Sequence, residues 1–204
     1  MLQRHLVIFA KTPAMGRVKS RLAQDIGLVA AWHFYTKTAK QISHRLSRDP
    51  RWQTSIALTP DTDAHQRGPF WPQTAGRIPQ GFGDLGARMG RVFEVLPPGP
   101  VIIIGTDVPA IRPHHIWQAF IALGQSDFVF GPANDGGYWL VGAKRGARGT
   151  LGLGKRLFKG VRWSSPHALD DTTKNIELGR QVAFIDTLDD IDDGKSYRKY
   201  LTLI

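Results

Sequence analysis

The chain has 204 residues, 42% of them apolar, which suits one compact domain spanning 1–204, and it has no apolar run near the roughly 20 residues of a membrane helix. Its net charge of +10, from 27 basic and 17 acidic residues, points to polyanionic partners: nucleic acid, a membrane surface or nucleoside phosphates. With no cysteine, disulfides and zinc–thiolate sites are excluded; the start of the chain has too short an apolar stretch for a signal peptide, and a cytoplasmic location is expected.

In chain order, His5–Ala10 reads as a buried strand, followed by a Pro/Gly loop, Lys11–Val18, and a helix from about Lys19. Ala31, Phe34, Tyr35, Thr38, Ile42 and Leu46 recur at three- and four-residue spacing, which predicts a long amphipathic helix. Thr54–Leu58 reads as a strand ended by Pro60, and Leu85, Met89, Val92, Phe93 and Leu96 as a further helical stripe. Val101–Gly105 opens with a β-branched run and is the clearest buried strand. A helix with Pro113 in its first turn and Gly124 as its stop comes next. Strands at Asp127–Phe130 and Tyr138–Val141 flank a turn with Asp135-Gly136-Gly137. Ser165-Pro166 should open a helix that Gly179 closes, Val182–Ile185 is a last strand, and Asp192 or Asp193 can cap a C-terminal helix. Alternating strands and helices predict a three-layer α/β/α sandwich on a mainly parallel sheet. Ligands of such folds sit beyond the C-terminal strand ends.

Three polar clusters follow strands directly. In AKTPAMGRVKSRL, Ala10–Leu22, Gly16 shapes a loop carrying Lys11, Arg17, Lys19 and Arg21 ahead of a helix, a set of donors suited to a di- or triphosphate. The spacing matches neither a P-loop nor a dinucleotide-binding loop, and a basic surface loop would use the same letters. In VIIIGTDVP, Asp107 is placed to hold Mg²⁺ (or Mn²⁺), which prefers few carboxylates plus phosphate oxygens; a turn-forming Asp is the alternative. In DTLDDIDD, Asp190 and Asp192 could add a second carboxylate to the metal or cap the following helix.

Two further motifs are glycine-rich. In QGFGDLGARM, Gly81 and Gly83 allow a base or ribose close to the backbone and Gln80 could read a base edge, while a turn with Asp84 as helix cap explains the motif equally. In GPANDGGYWLVG, Asp135, Gly136 and Gly137 could contact an acceptor or form only a hairpin turn. A second basic run (Lys144, Arg145, Arg148, Lys155, Arg156, Lys159, Arg162) contains no acid and mildly favours an anionic acceptor. Ser164, Ser165, His167 and Asp170 lack a nucleophile elbow and do not read as a hydrolase triad. His114-His115 are adjacent rather than four apart, so they are expected to face solvent rather than bind metal.

Taken together and in order, FAKTPAMGRVKSRLA, QGFGDLGARM, GTDVP, GPANDGGYWLVG, Trp163–Ser165 and the late Asp-Ile-Asp resemble the bacterial DUF2064 family, over about Leu6 to Leu201. That family is glycosyltransferase-like and related to phospholactate guanylyltransferases and molybdenum-cofactor nucleotidyltransferases. The resemblance implies a GT-A type nucleotide-diphospho-sugar transferase fold. It implies phosphate binding by Lys11, Arg17, Lys19 and Arg21, Mg²⁺ on Asp107 with Asp192 or Asp190, and a nucleotide pocket shaped by Gly81, Gly83 and Asp84. Trp163 and Ser164 would stand on the acceptor side. Where the family usually reads Gly-Thr-Asp-Cys-Pro-Asp this chain has Val108 and Ala110, and Ser-Ser-Pro-His follows where Ser-Thr-Ser-Thr is usual. The expected activity is a Mg²⁺-dependent transferase in which Asp107 and Lys19 stabilise charge, with a nucleotide sugar as donor and a small-molecule acceptor. Transfer of a nucleotidyl group from an NTP is the alternative; a non-catalytic nucleotide- or nucleic-acid-binding protein is a third reading, although no nucleic-acid module is recognisable.

Overall fold

The computed structural model describes residues 2–66, 68–145 and 152–202. Its strands are β1 (His5–Lys11), β2 (Gln53–Thr59), β3 (Gly76–Pro79), β4 (Val101–Ile104), β5 (Phe128–Pro132), β6 (Tyr138–Ala143) and β7 (Val182–Phe184). They form one sheet in the order β3-β2-β1-β4-β6-β5-β7. All neighbours are parallel except β6, which is antiparallel to both β4 and β5. The chain lays β1, β2 and β3 outward in one direction and then returns to put β4 on the other side of β1. The strand order therefore reverses between β1 and β4, and a crevice opens beyond their C-terminal ends.

Side-chain alternation along these strands builds the two faces. Leu6, Ile8, Ile102 and Ile104 pack with Tyr35, Ile42 and Leu46 of α2 (Leu28–Leu46) and Ile116 and Phe120 of α4 (Pro113–Gln125). Val7, Val101 and Ile103 point the other way, onto Met89, Val92 and Phe93 of α3 (Leu85–Val95) and Leu153 and Leu157 of α5 (Leu153–Leu157). Each such large side chain, fully buried, contributes roughly 1.5–3 kcal/mol by leaving water. This is the three-layer sandwich expected. A smaller cluster joins Leu22 of α1 (Ser20–Ile26), Ala31 and Phe34 of α2, and Ile191, with Tyr197 and Tyr200 of α7 (Gly194–Leu201) packed against it. The remaining helix is α6 (Ala168–Lys174).

Several expectations need correction. The helical signal from Lys19 to Leu46 belongs to two helices, because Gly27 at φ 85° turns the backbone between them. Gly124 lies inside α4, which runs to Gln125. Ser165-Pro166 forms a turn ahead of α6, which ends at Lys174, well before Gly179. The expected C-terminal helix is present, and of its two cap candidates Asp193 is the cap, accepting from the Ser196 amide at 2.7 Å. His115 is buried rather than solvent-facing: its Nδ1 accepts from the Arg112 amide at 3.0 Å at the head of α4, and its ring packs on Trp139. β3 and α5 carry little sequence signal. β3 is a four-residue edge strand ending in Pro79, and α5 is a single short turn pair in a basic stretch.

Candidate active site

A cleft of about 790 Å³ opens at the reversal point. Lys11 lines it from the end of β1, Lys19, Ser20 and Arg21 from the start of α1, Thr106 and Asp107 from beyond β4, and Asp190 and Asp192 from the segment before α7. Asp135, Gly137, Trp163, Ser164 and Ser165 also line it, as do Leu85 and Met89 of α3. Six motifs far apart in sequence thus meet in one place.

The chain reaches the cleft through local devices. β4 pairs with β1 only from His5 to Ile8, so at Lys11 the sheet has no partner on that side. The buried Tyr35 hydroxyl fills the gap, accepting from the Lys11 amide at 2.8 Å and donating to the Lys11 carbonyl at 2.7 Å. Burial, opposed by a hydrogen bond to Thr106, keeps this phenol protonated well beyond its ordinary range. Lys19 stands before α1 with φ 51° and ψ 46°, a left-handed conformation uncommon for a side-chain-bearing residue. Ser164, at φ 55°, is the other such non-glycine residue among the described ones, and both line the cleft.

Ahead of α7, the side chains of the segment Asp189–Asp193 divide between core and cleft. Ile191 turns into the core with Leu22 and Phe34, and Asp190 and Asp192 on either side face the cleft. The segment is held at both ends. Asp189 pairs with Lys199 at 2.5 Å and also accepts from Asn134, Asp25 accepts from the Gly194 amide at 2.7 Å, and the Ile191 amide donates to the Asp107 carbonyl at 3.0 Å.

At the centre, the Lys19 ammonium lies 2.7 Å from Asp107 Oδ1, 2.6 Å from Asp192 Oδ1 and 2.7 Å from the Ile191 carbonyl. The lysine side chain is 6% exposed, while both carboxylates are 45% exposed. Burial works against the charged lysine, but Asp107 and Asp192 outweigh it and hold the ammonium above its usual range. Asp190 takes no part in this triad. Burial and the nearby carboxylates of Asp192 and Asp135 push its carboxyl up to about 6.

Of the residues singled out by sequence, Lys11, Lys19, Arg21, Asp107, Asp135, Gly137, Trp163, Ser164, Asp190 and Asp192 share the cleft. Gly16 and Arg17 sit on the exposed outside of the first loop. Gln80 is 5% exposed and gives its amide hydrogens to the Ala10 and Ala57 carbonyls at 3.1 and 2.9 Å. It ties β1 to β2 and cannot offer those donors to a base, which corrects the base-edge reading. Asp84 caps α3 through the Ala87 amide at 2.8 Å. Gly81 and Gly83 lie in a loop whose carbonyls are taken by Arg88 and Arg91, away from the cleft lining. Gly136 supports the cleft from behind: at φ 84° it lets the Pro166 carbonyl approach where any Cβ would stand. Asp135 accepts from the Gly137 amide at 2.8 Å, so the turn geometry and the cleft position both hold.

Among the described residues, no cation of the second basic run lines the cleft. Arg145 is buried, donating to the Leu96 and Gly99 carbonyls at 3.0 and 3.1 Å after α3, and Arg162 is paired with Asp171 at 2.8 Å. Arg156 lies 3.7 Å from Glu177, Lys144, Lys155 and Lys159 are exposed, and Arg148 falls outside the described residues. Ala110, which stands where the family usually has a carboxylate, is exposed and does not line the cleft. Tyr35, Ser20 and Met89 carry no sequence signal as site residues, whereas Thr106 belongs to the polar cluster after β4. Tyr35 and Met89 read as core positions in their helical stripes, and only the end of β4 reveals the polar task of Tyr35.

The chain belongs to the family described as "Uncharacterized protein conserved in bacteria (DUF2064)", whose model matches residues 42–165. The match includes QGFGDLGARM, GTDVP, GPANDGGYWLVG and Trp163–Ser165; the basic first loop and the late Asp-Ile-Asp lie outside it. No curated protein sequence matches the chain significantly. Among solved structures, it is similar to a candidate nucleotide-diphospho-sugar transferase from Desulfovibrio desulfuricans G20, with a TM-score of 0.79 at 24% identity over 95% of this chain and 84% of that one. It is also similar to 4-diphosphocytidyl-2C-methyl-D-erythritol synthase from Anaerococcus prevotii DSM 20548, with a TM-score of 0.57 at 10% identity over 98% of each chain. A third likeness is to CMP:2-keto-3-deoxy-manno-octonic acid synthetase complexed with CTP, with a TM-score of 0.56 at 11% identity over 99% and 98%. These likenesses establish the fold. No helix among the described residues is long and apolar enough to cross a membrane.

Proposed function

We propose that this member of the DUF2064 family is a transferase that takes a nucleotide-activated donor, a nucleotide sugar, in the cleft between the ends of β1 and β4. The observation that carries the reading is the meeting of Lys11, Lys19 and Arg21 with Asp107 and Asp192 at the strand-order reversal. The three cations would bind the donor's phosphates, and Asp135, Trp163 and Ser164 across the cleft would receive the acceptor.

The residues fit a divalent cation in donor chemistry. Asp107 Oδ1, Asp192 Oδ1 and the Ile191 carbonyl converge on a single point, where the Lys19 ammonium now sits. Hard oxygens with few carboxylates are what Mg²⁺ or Mn²⁺ takes alongside phosphate oxygens. No group of three or more His, Cys, Asp or Glu side chains arranged for a metal occurs among the described residues, so phosphate oxygens would have to complete the sphere. Asp107 and Asp192 would hold the metal, with Asp190 as the alternative ligand, and it would supply Lewis-acid stabilisation of the leaving diphosphate. Lys11 and Arg21 would orient the phosphates, and preorganised positive charge would favour the more anionic transition state.

Nucleotidyl transfer is the second reading, favoured by the fold shared with the CTP-complexed synthetase. Calorimetric titration with nucleotide sugars and NTPs, with and without Mg²⁺, tests the shared core. Metal-assisted binding is expected, and it should be lost in Asp107→Ala. Product analysis separates the two chemistries, since glycosyl transfer releases a nucleoside diphosphate and nucleotidyl transfer releases pyrophosphate. A protein that ignores all nucleotides yet binds DNA with a steep salt slope would refute both.

A further inference from the structure

Asp107 comes from the middle of the chain, after β4, and Asp192 from near its C-terminal end, before α7, and a backbone hydrogen bond from Ile191 to Asp107 joins their segments directly. Between their carboxylates sits the Lys19 ammonium, in contact with one oxygen of each and with the Ile191 carbonyl. Its placement is built in: the backbone of Lys19 is left-handed, its side chain is 6% exposed, and Val18 beside it is buried in the core. A cation that seeks those same oxygens meets a positive charge already at their meeting point. Like charges this close repel strongly in a partly buried site. Conversely, removing the ammonium leaves two carboxylates facing each other unneutralised. Lys11 and Arg21 line the same cleft, so an arriving diphosphate would offer the ammonium a competing anionic partner within its reach.

We propose that Lys19 is a resident counter-cation that closes the Asp107–Asp192 pair against metal until a diphosphate draws the ammonium away. Nucleotide and metal then load together, and neither loads tightly alone. This deepens the transferase reading and rests on it. The device makes metal occupancy conditional on donor, and keeps the carboxylate pair assembled in the empty protein.

The test is Mn²⁺ binding, followed by the loss of the free-ion electron paramagnetic resonance signal, for wild type, Lys19→Met, Lys19→Gln and Lys19→Arg. Without nucleotide, Met and Gln variants should bind Mn²⁺ about tenfold or more tighter than wild type, a gain of one decade in Kd or beyond. The Arg variant should stay as weak as wild type, and adding Asp192→Asn to Lys19→Gln should erase the gain. Having both Met and Gln guards against one of them failing to fold. With UDP or GDP present, and relative to a protein-free control for the ion that the nucleotide itself takes up, wild type should bind the ion and approach the neutral variants. Equal or weaker Mn²⁺ binding by the neutral variants in the absence of nucleotide would overturn the counter-cation role while leaving the metal site standing. Absence of Mn²⁺ binding in every protein, with and without nucleotide, would remove the metal site and this inference with it.

Discussion

The hydroxyl of Tyr35 satisfies both backbone groups of Lys11, accepting from its amide at 2.8 Å and donating to its carbonyl at 2.7 Å. One side chain from α2 thereby finishes the strand that delivers the first cation to the cleft. Tyr35→Phe leaves a part-buried backbone donor and acceptor without their protein partner, which costs about 1 kcal/mol. Urea unfolding should show that loss, and nucleotide affinity should fall with it because Lys11 is no longer held.

Gln80 ties β1 to β2 from inside. Gln80→Leu keeps the volume and removes both donors, so a stability loss of about 1–3 kcal/mol is expected. Base preference in nucleotide titrations should stay the same in the surviving folded protein. A changed preference would return Gln80 to the nucleotide pocket.

Gly136 combines φ 84° with the Pro166 carbonyl packed against its open side. Gly136→Ala adds both backbone strain and a clash, each on the order of 1–3 kcal/mol. A lowered thermal midpoint should accompany weakened acceptor use, because Pro166 and Ser165 belong to the cleft wall. Donor binding should suffer less, giving a change in acceptor KM larger than that in donor KM.

Two buried histidines make the fold acid-sensitive. Burial, helped by Arg145, lowers His5, and burial, helped by His114, lowers His115, each from an ordinary 6.5. As pH falls through 6.5 the unfolded chain takes up these protons first, so stability drops below that pH until the folded groups also protonate. Asp190, raised to about 6, pulls the opposite way, because the folded state gains its proton before the unfolded chain does. The histidine contribution is therefore read as a difference: His115→Gln keeps a capping side chain at the head of α4 and should lose less stability than wild type between pH 7.5 and 5.5. Urea midpoints at the two pH values decide it, and an identical drop in both proteins would contradict the assignment.

Much of this protein follows from local sequence. The β-branched run Val101–Ile104 reads as a buried strand, the three- and four-residue spacing of α2 fixes its buried face, and a polar cluster after each of three strands marks the cleft wall. Those signals are short-ranged, since strand pleat and helix turn impose their periods on neighbouring residues. Three-dimensional packing decided what each polar residue does. Arg145, Arg156 and Arg162 read as an acid-free basic run, yet the fold gives them the backbone carbonyls beyond α3, Glu177 and Asp171 as partners. Gln80 and Asp84 read as nucleotide ligands and are held by backbone groups. Lys19, Asp107 and Asp192 were each legible as candidate site residues, but their joining was not. Spacing along the chain carries no information about which charges lie within 3 Å, and that distance decides whether Lys19 serves a phosphate or a pair of carboxylates.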